Sequence, residues 1–242
     1  MKIRIKFRKY GVMKFIGHLD MMRYFQKAMR RAEIDICYSE GFSPHQIMSF
    51  AAPLGVGVTS DGEYLDIEVH QSPSTAEALR ILNETMVDGV EITGYAKLPD
   101  DAKTAMSIVA AADYDLSFKE GYTPAATVEQ FADGIAEHFT KPAQVLITKQ
   151  TKKSEKVMDL KHLLYDFQVS EKVREDGIAL PSFYLMVSTG STDNVKPELV
   201  VEHLFAAMGL SYDANAVQIH RKDVYAADGD GYISLGDMGT AL

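Results

Sequence analysis

Apolar and polar residues alternate at the start of the chain, with Ile3, Ile5 and Phe7 on one face and Lys2, Arg4, Lys6 and Arg8 on the other. That period predicts a half-buried strand over residues 2–7. The period then lengthens. Leu19, Met22, Phe25, Met29 and Ala32 recur every three or four residues, which predicts an amphipathic helix over residues 18–32. A glycine- and proline-punctuated stretch at 39–44 leads to a short apolar run at 47–51, and alternation returns at 63–69 with Leu65, Ile67 and Val69 inward. Ser74 followed by Glu77 is a capping box that opens a helix through Met86, and residues 90–97 read as a strand. The first half therefore has the order β-α-β-β-α-β.

The second half repeats the scheme less cleanly. Strands are expected at 114–118, 144–148, 183–187 and 217–225, and a helix at 127–139. A second helix is expected at 196–208, with Pro197 in its first turn and Gly209 after its end. Residues 99–104 look like a linker, and 152–180 like an insertion with a basic turn (Lys152, Lys153, Lys156) and an extra hairpin strand at 166–172. Two such units in series predict an α+β protein, tandem ferredoxin-like, with two antiparallel sheets, divided into residues 1–98 and 105–242.

Charge changes this picture more than composition does. Hydrophobic residues at 46% and charged residues at 24% fit an ordinary globular chain. The net charge is −9, yet residues 1–31 hold ten Lys and Arg against the single acid Asp20, so the rest of the chain carries −18. Such asymmetry points to a local anion-seeking surface on an acidic body. The lone Cys37 cannot form an internal disulfide and the charged start lacks a leader-like apolar core, so a cytoplasmic location is expected. No stretch approaches the ~18 apolar residues of a membrane span, so no membrane role is expected.

Within the predicted first helix, Arg23, Lys27, Arg30 and Arg31 fall at i, i+4, i+7 and i+8, a cationic stripe opposite the apolar face. Guanidinium groups bind phosphate bidentately, so the stripe suits a phosphate backbone or an acidic partner groove, with a merely solvated face as the plain alternative. The basic face of the first strand is expected to be neutralised across the sheet by residues such as Asp66, Glu68 and Glu91. The loop Ser39-Glu-Gly41-Phe42-Ser43-Pro44-His45 concentrates turn residues around one aromatic ring and one imidazole. The imidazoles of His18 and His45 suit either phosphate contact or acid–base work, the plain alternative being backbone capping.

Other chemistries find less support. The seven histidines lack ligand spacing, and one cysteine cannot build a thiolate site, so no metal is expected. Asp228-Gly-Asp-Gly-Tyr-Ile-Ser234 imitates part of a calcium loop but lacks its closing glutamate, and reads as a hairpin turn or tail. Phosphate-cradling and nucleophile-elbow motifs are missing, so no cofactor is expected.

Five segments together carry a resemblance: Phe15-Ile-Gly-His-Leu-Asp-Met-Met-Arg23, Arg30-Arg31-Ala, Gly41-Phe-Ser-Pro-His45, Ser49-Phe-Ala-Ala-Pro-Leu-Gly55 and Gly62-Glu-Tyr-Leu-Asp66. The chain resembles the radical-SAM-linked family of bacterial domains of unknown function, in its free-standing form. The resemblance implies a non-catalytic accessory subunit whose partner is a radical SAM protein that holds the iron–sulfur cluster. The family's association with genes for a ribonuclease and for ribosomal proteins implies an RNA-related substrate. Gln46 stands where that family usually has lysine, which removes a charge from the loop. The expected interface comprises Lys14, His18, Asp20, Arg23, Lys27, Arg30, Arg31 and the loop residues Gly41, Phe42, Ser43, Pro44 and His45. It would take RNA, or else only the partner protein; a third reading is a metal-independent RNA-cleaving enzyme using His18 and His45.

Overall fold

The computed structural model describes residues 1–150, 155–190 and 193–242, so Lys152 and Lys153 of the expected basic turn, and the side chain of Lys156, lie outside the described residues. The first half runs β1 (Lys2–Lys9), α1 (His18–Arg31), β2 (Met48–Phe50), β3 (Thr59–Glu68), α2 (Thr75–Thr85), β4 (Val90–Lys97) and a single turn α3 (Ala105–Ile108). It continues with β5 (Val109–Phe118), α4 (Val128–Ile135) with a wider π-helical turn at Ala136–Thr140, β6 (Leu146–Gln150), β7 (Glu155–Asp159), β8 (Leu164–Val173), β9 (Ala179–Ser188), α5 (Pro197–Ala207), β10 (Val217–Asp228) and β11 (Gly231–Ser234).

Two compact units form, Met1–Ala111 with Arg221–Leu242, and Ala112–His220. The last 22 residues belong to the first unit, where Asp223 of β10 and Ser234 of β11 are hydrogen-bonded with Tyr64 of β3. In the first unit, β1 lies between β3 and β4, antiparallel to both, and β2 pairs Met48–Phe50 with 65–67 of β3. Ile3, Ile5, Phe7, Leu65, Ile67, Val90 and Ile92 bury one face of this sheet against Met21, Phe25 and Met29 of α1 and Ala78 and Leu82 of α2. Burial of these side chains is the main force holding the helices to the sheet. Ser74 caps α2, its hydroxyl accepting from the Glu77 amide, while the Glu77 carboxylate, expected to close a capping box, meets Arg80.

The second unit has the strand order β10-β5-β9-β8, with β6 and β7 forming a separate two-stranded hairpin. Here the expectation is corrected. The apolar run at 144–148 belongs mostly to that hairpin, while the strand expected as an accessory at 166–172 is β8, paired with β9 from Leu164↔Val187 to Val173↔Ala179. As the edge strand, β8 is exposed or only half buried along its length, so its alternation is weak.

The strands also do not fall into two antiparallel sheets. Among the described residues the strand order is β4-β1-β3-β10-β5-β9-β8, with β2 on β3 and β11 on β10, nine strands in all, plus the hairpin. In that order the 12-residue β10 comes between β3 and β5, and its second part belongs to the first unit. Its approach requires a glycine: a Cβ on Gly62 would sit 2.6 Å from the Cα of Asp223. Among the described residues, no helix is long and apolar enough to cross a membrane.

Candidate nucleic-acid interface

On the basic face of β1, Arg4, Lys6 and Arg8 are ion-paired and Lys2 bonds a backbone carbonyl. Arg4 is buried and bidentate to Asp66, with Nε to Oδ1 at 2.8 Å and an Nη to Oδ2 at 3.0 Å, and the same carboxylate accepts from the Ala105 amide. Leu235 carbonyl and Met238 sulfur close over the other Nη of Arg4. Lys6 meets Asp223 at 3.1 Å, Arg8 meets Asp61 at 2.7 Å and Glu91 at 3.0 Å, and Lys2 donates to the Ala102 carbonyl at 2.8 Å. Asp61, chiefly by its hydrogen bond, holds the Arg8 guanidinium above its ordinary pKa despite partial desolvation. Asp66 and Glu91 are partners that the alternation of β3 and β4 made foreseeable. Asp61 and Asp223 are not.

Asp223 also accepts from the Tyr64 hydroxyl and from Ser234 at 2.8 Å, which ties β11 over this face of the first unit. Burial, followed by the charge of Asp223, pushes the Tyr64 phenol well above its usual pKa. On the opposite, helix-covered face lies another pair that sequence reasoning missed. Arg221 of β10, itself buried, bonds Glu63 at 2.6 Å, and buried Lys9 donates to the Ile16 carbonyl at 2.6 Å. Desolvation lowers the Lys9 pKa, partly offset by the Glu63 charge and reinforced by Arg221.

The cations of α1 are left differently. Met21, Phe25, Ala28 and Met29 are buried, so the 3.6-residue period turns Arg23, Lys27 and Arg30 to the outside. Asp20 in the first turn and Arg30 and Arg31 in the last suit the helix dipole. Arg23 is 70% exposed and meets Asp20 at 3.3 Å, an exposed pair of little energetic weight. Arg31 donates to the Thr85 carbonyl at the end of α2, and Arg30 Nε to the Gln26 carbonyl of its own helix at 3.2 Å.

That Gln26 carbonyl has a second donor, the Nε2 of Gln46 at 3.3 Å. Gln46 is buried at the foot of the 39–45 loop, which is closed by a Ser39 amide to His45 carbonyl bond of 2.8 Å and by Ser39 Oγ to His45 Nδ1 at 2.9 Å. The position that the resemblance associates with a loop charge is thus an inward anchor here, and its Oε1 has no partner among the described residues. Gly41, with φ +107°, turns the loop outward, and Gly41, Phe42, Ser43, Pro44 and His45 are all exposed, Phe42 completely.

The remaining expected residues are placed apart. His18, at the start of α1, stacks edge-on against Phe50 at 5.3 Å and lines a small cavity with Phe7, Lys9, Pro53 and Glu63. Its surroundings are those of a packed ring, whereas His45 faces solvent from the loop. Lys14 lies over the ring of Phe15 at 5.3 Å, and its carbonyl accepts from Gly57. Asp228 and Gly231, from the calcium-like stretch, close the two-residue turn between β10 and β11.

No curated protein matches the chain. A solved structure that is similar, an unknown protein from Galdieria sulphuraria, shares 10% identity over 91% of this chain and 96% of its own, with a TM-score of 0.22. Residues 2–197 match the model of a family described as "Uncharacterized protein conserved in bacteria (DUF2344)", and by that match the chain belongs to this family.

Proposed function

We propose that this protein is a non-catalytic, cytoplasmic accessory subunit that binds RNA and presents it to a radical SAM enzyme, the enzyme and its cluster being supplied by a separate chain. In this reading each half is ferredoxin-like, and RNA meets the first half on α1 and the 39–45 loop. The observation that carries it is the shared Gln26 carbonyl. Because Arg30 and Gln46 donate to the same oxygen, the exposed loop is anchored directly beside the exposed cations of α1. Arg23, Lys27 and Arg30 then grip phosphates, while the loop reaches a base. The paired cations of β1 supply little to such contact.

Val12, Phe15, Leu19 and Val56, all exposed near the start of α1, favour a docking role for the partner protein at that end. Whether RNA binds unaided separates this from a pure docking module. The test is an electrophoretic shift with total cellular RNA across a salt series, comparing wild type with Arg23→Ala/Arg30→Ala. Wild type should bind with a salt-dependent affinity, and the double variant should lose affinity and flatten the slope by about 0.7 per lost contact on a single strand. Equal binding and equal slopes for the two proteins reject the reading.

A further inference from the structure

We infer that the nucleic acid taken by this surface is single-stranded, with unpaired bases stacked on Phe42 and Tyr38; this rests on the RNA reading above and names the form of its ligand. Phe42 stands wholly in solvent at the tip of the 39–45 loop, and Tyr38 is 50% exposed on the stem just before it. Tyr38 pairs with Gln46 across that stem, and the Gln46 amide donates both to the Tyr38 hydroxyl at 3.4 Å and to the Gln26 carbonyl at 3.3 Å. Both aromatic residues therefore hang from the anchor that Arg30 shares.

A scattered exposed ring is ordinary on a protein surface. Here two rings share one stem, and that stem is fastened to a helix whose outer face is cationic. Arg23 and Arg30 are two turns apart, about 10 Å along the axis, the span of a short run of nucleotides. Rings beside a track of cations take a strand by stacking on base faces while the cations hold its phosphates. A duplex keeps its base faces stacked on one another and offers only phosphates and groove edges. The phosphate contacts are open to either form, and the rings only to the single strand.

The experiment is a fluorescence titration of the full-length protein with a single-stranded RNA of about ten nucleotides carrying a central 2-aminopurine. The same RNA annealed to its complement serves as competitor, and Phe42→Leu and Arg23→Ala/Arg30→Ala are the variants. Wild type should change the probe's fluorescence on binding, and the duplex should compete at least about tenfold more weakly. Phe42→Leu should weaken binding about fivefold and remove the fluorescence change while keeping the salt slope, the reverse of the arginine pair. Phe42 packs against nothing, so its replacement leaves the fold intact. If the duplex competes equally, or Phe42→Leu alters neither affinity nor fluorescence while RNA still binds with a salt slope, the single-strand inference is wrong and the RNA reading survives. If wild type binds neither form at low salt, both are wrong.

Discussion

β1 and α1 carry the same sign of charge in adjacent segments of one unit, and the fold disposes of the two in opposite ways. On β1, Arg4 is sealed beneath the C-terminal segment against Asp66, and Lys6 is met by an aspartate 217 residues away. On α1, Arg23 has a partner three residues away, in water. The Arg4 pair, closed by distant chain, is desolvated and structural, whereas the Arg23 pair, closed within one helical turn, leaves its charge available to a ligand. Counting basic residues along the first 31 positions overstates the anion-seeking surface, because about half of those cations are already answered within the fold.

The sharpest way to break this comparison is to strip one side of the buried pair. Asp66→Asn leaves the Arg4 guanidinium buried without a countercharge, and should cost about 3–5 kcal/mol in urea-induced unfolding. Replacing both partners with apolar residues should recover much of that loss; if it does not, the pair does more than satisfy itself. A subtler test uses Lys9, the buried cation at the end of β1. Its folded pKa lies below the ordinary lysine value, so the folded state binds its proton less readily than the unfolded chain does. The resulting penalty is fully present below the folded pKa and fades as pH rises toward the unfolded value of about 10.4. Wild type should therefore gain stability relative to Lys9→Met between neutral pH and pH 10, and a flat difference would show that Lys9 is not desolvated. The smallest effect belongs to the helix: Arg23→Ala should change unfolding stability by no more than about 0.5 kcal/mol. A loss comparable with that of Asp66→Asn would erase the distinction between the two faces.

Much of the first unit was legible because its signals are local. The alternation of β1, the 3.6-residue period of α1 and the Ser74 cap each involve residues within a turn or two of one another, and each appears in the structure where expected. The exposure of the α1 cations follows from the same period. The tether between α1 and the loop was not legible, because it is made by Gln46, a residue conspicuous only for lacking a charge. His18 misled for a related reason: an imidazole at a helix start reads alike whether it faces solvent or, as here, packs edge-on against Phe50. In the second unit, the sequence of β8 reads as an accessory strand because an edge strand half open to water has no clean alternation to betray it.

By itself, the amino-acid order determined the main helices and strands of the first unit and which faces of β1 and α1 carry charge, since backbone geometry converts neighbouring side chains directly into faces. Tertiary structure alone decided the order in which the described strands stand beside one another, and that Asp61, Asp223 and Arg221 answer charges far from them in the chain. Strand edges are joined by backbone hydrogen bonds that nearly every residue can make, so their choice of partner leaves no mark in any local pattern. Ion pairs across such edges inherit the same silence. Which cations remain free for a ligand was therefore settled only when the chain had closed upon itself.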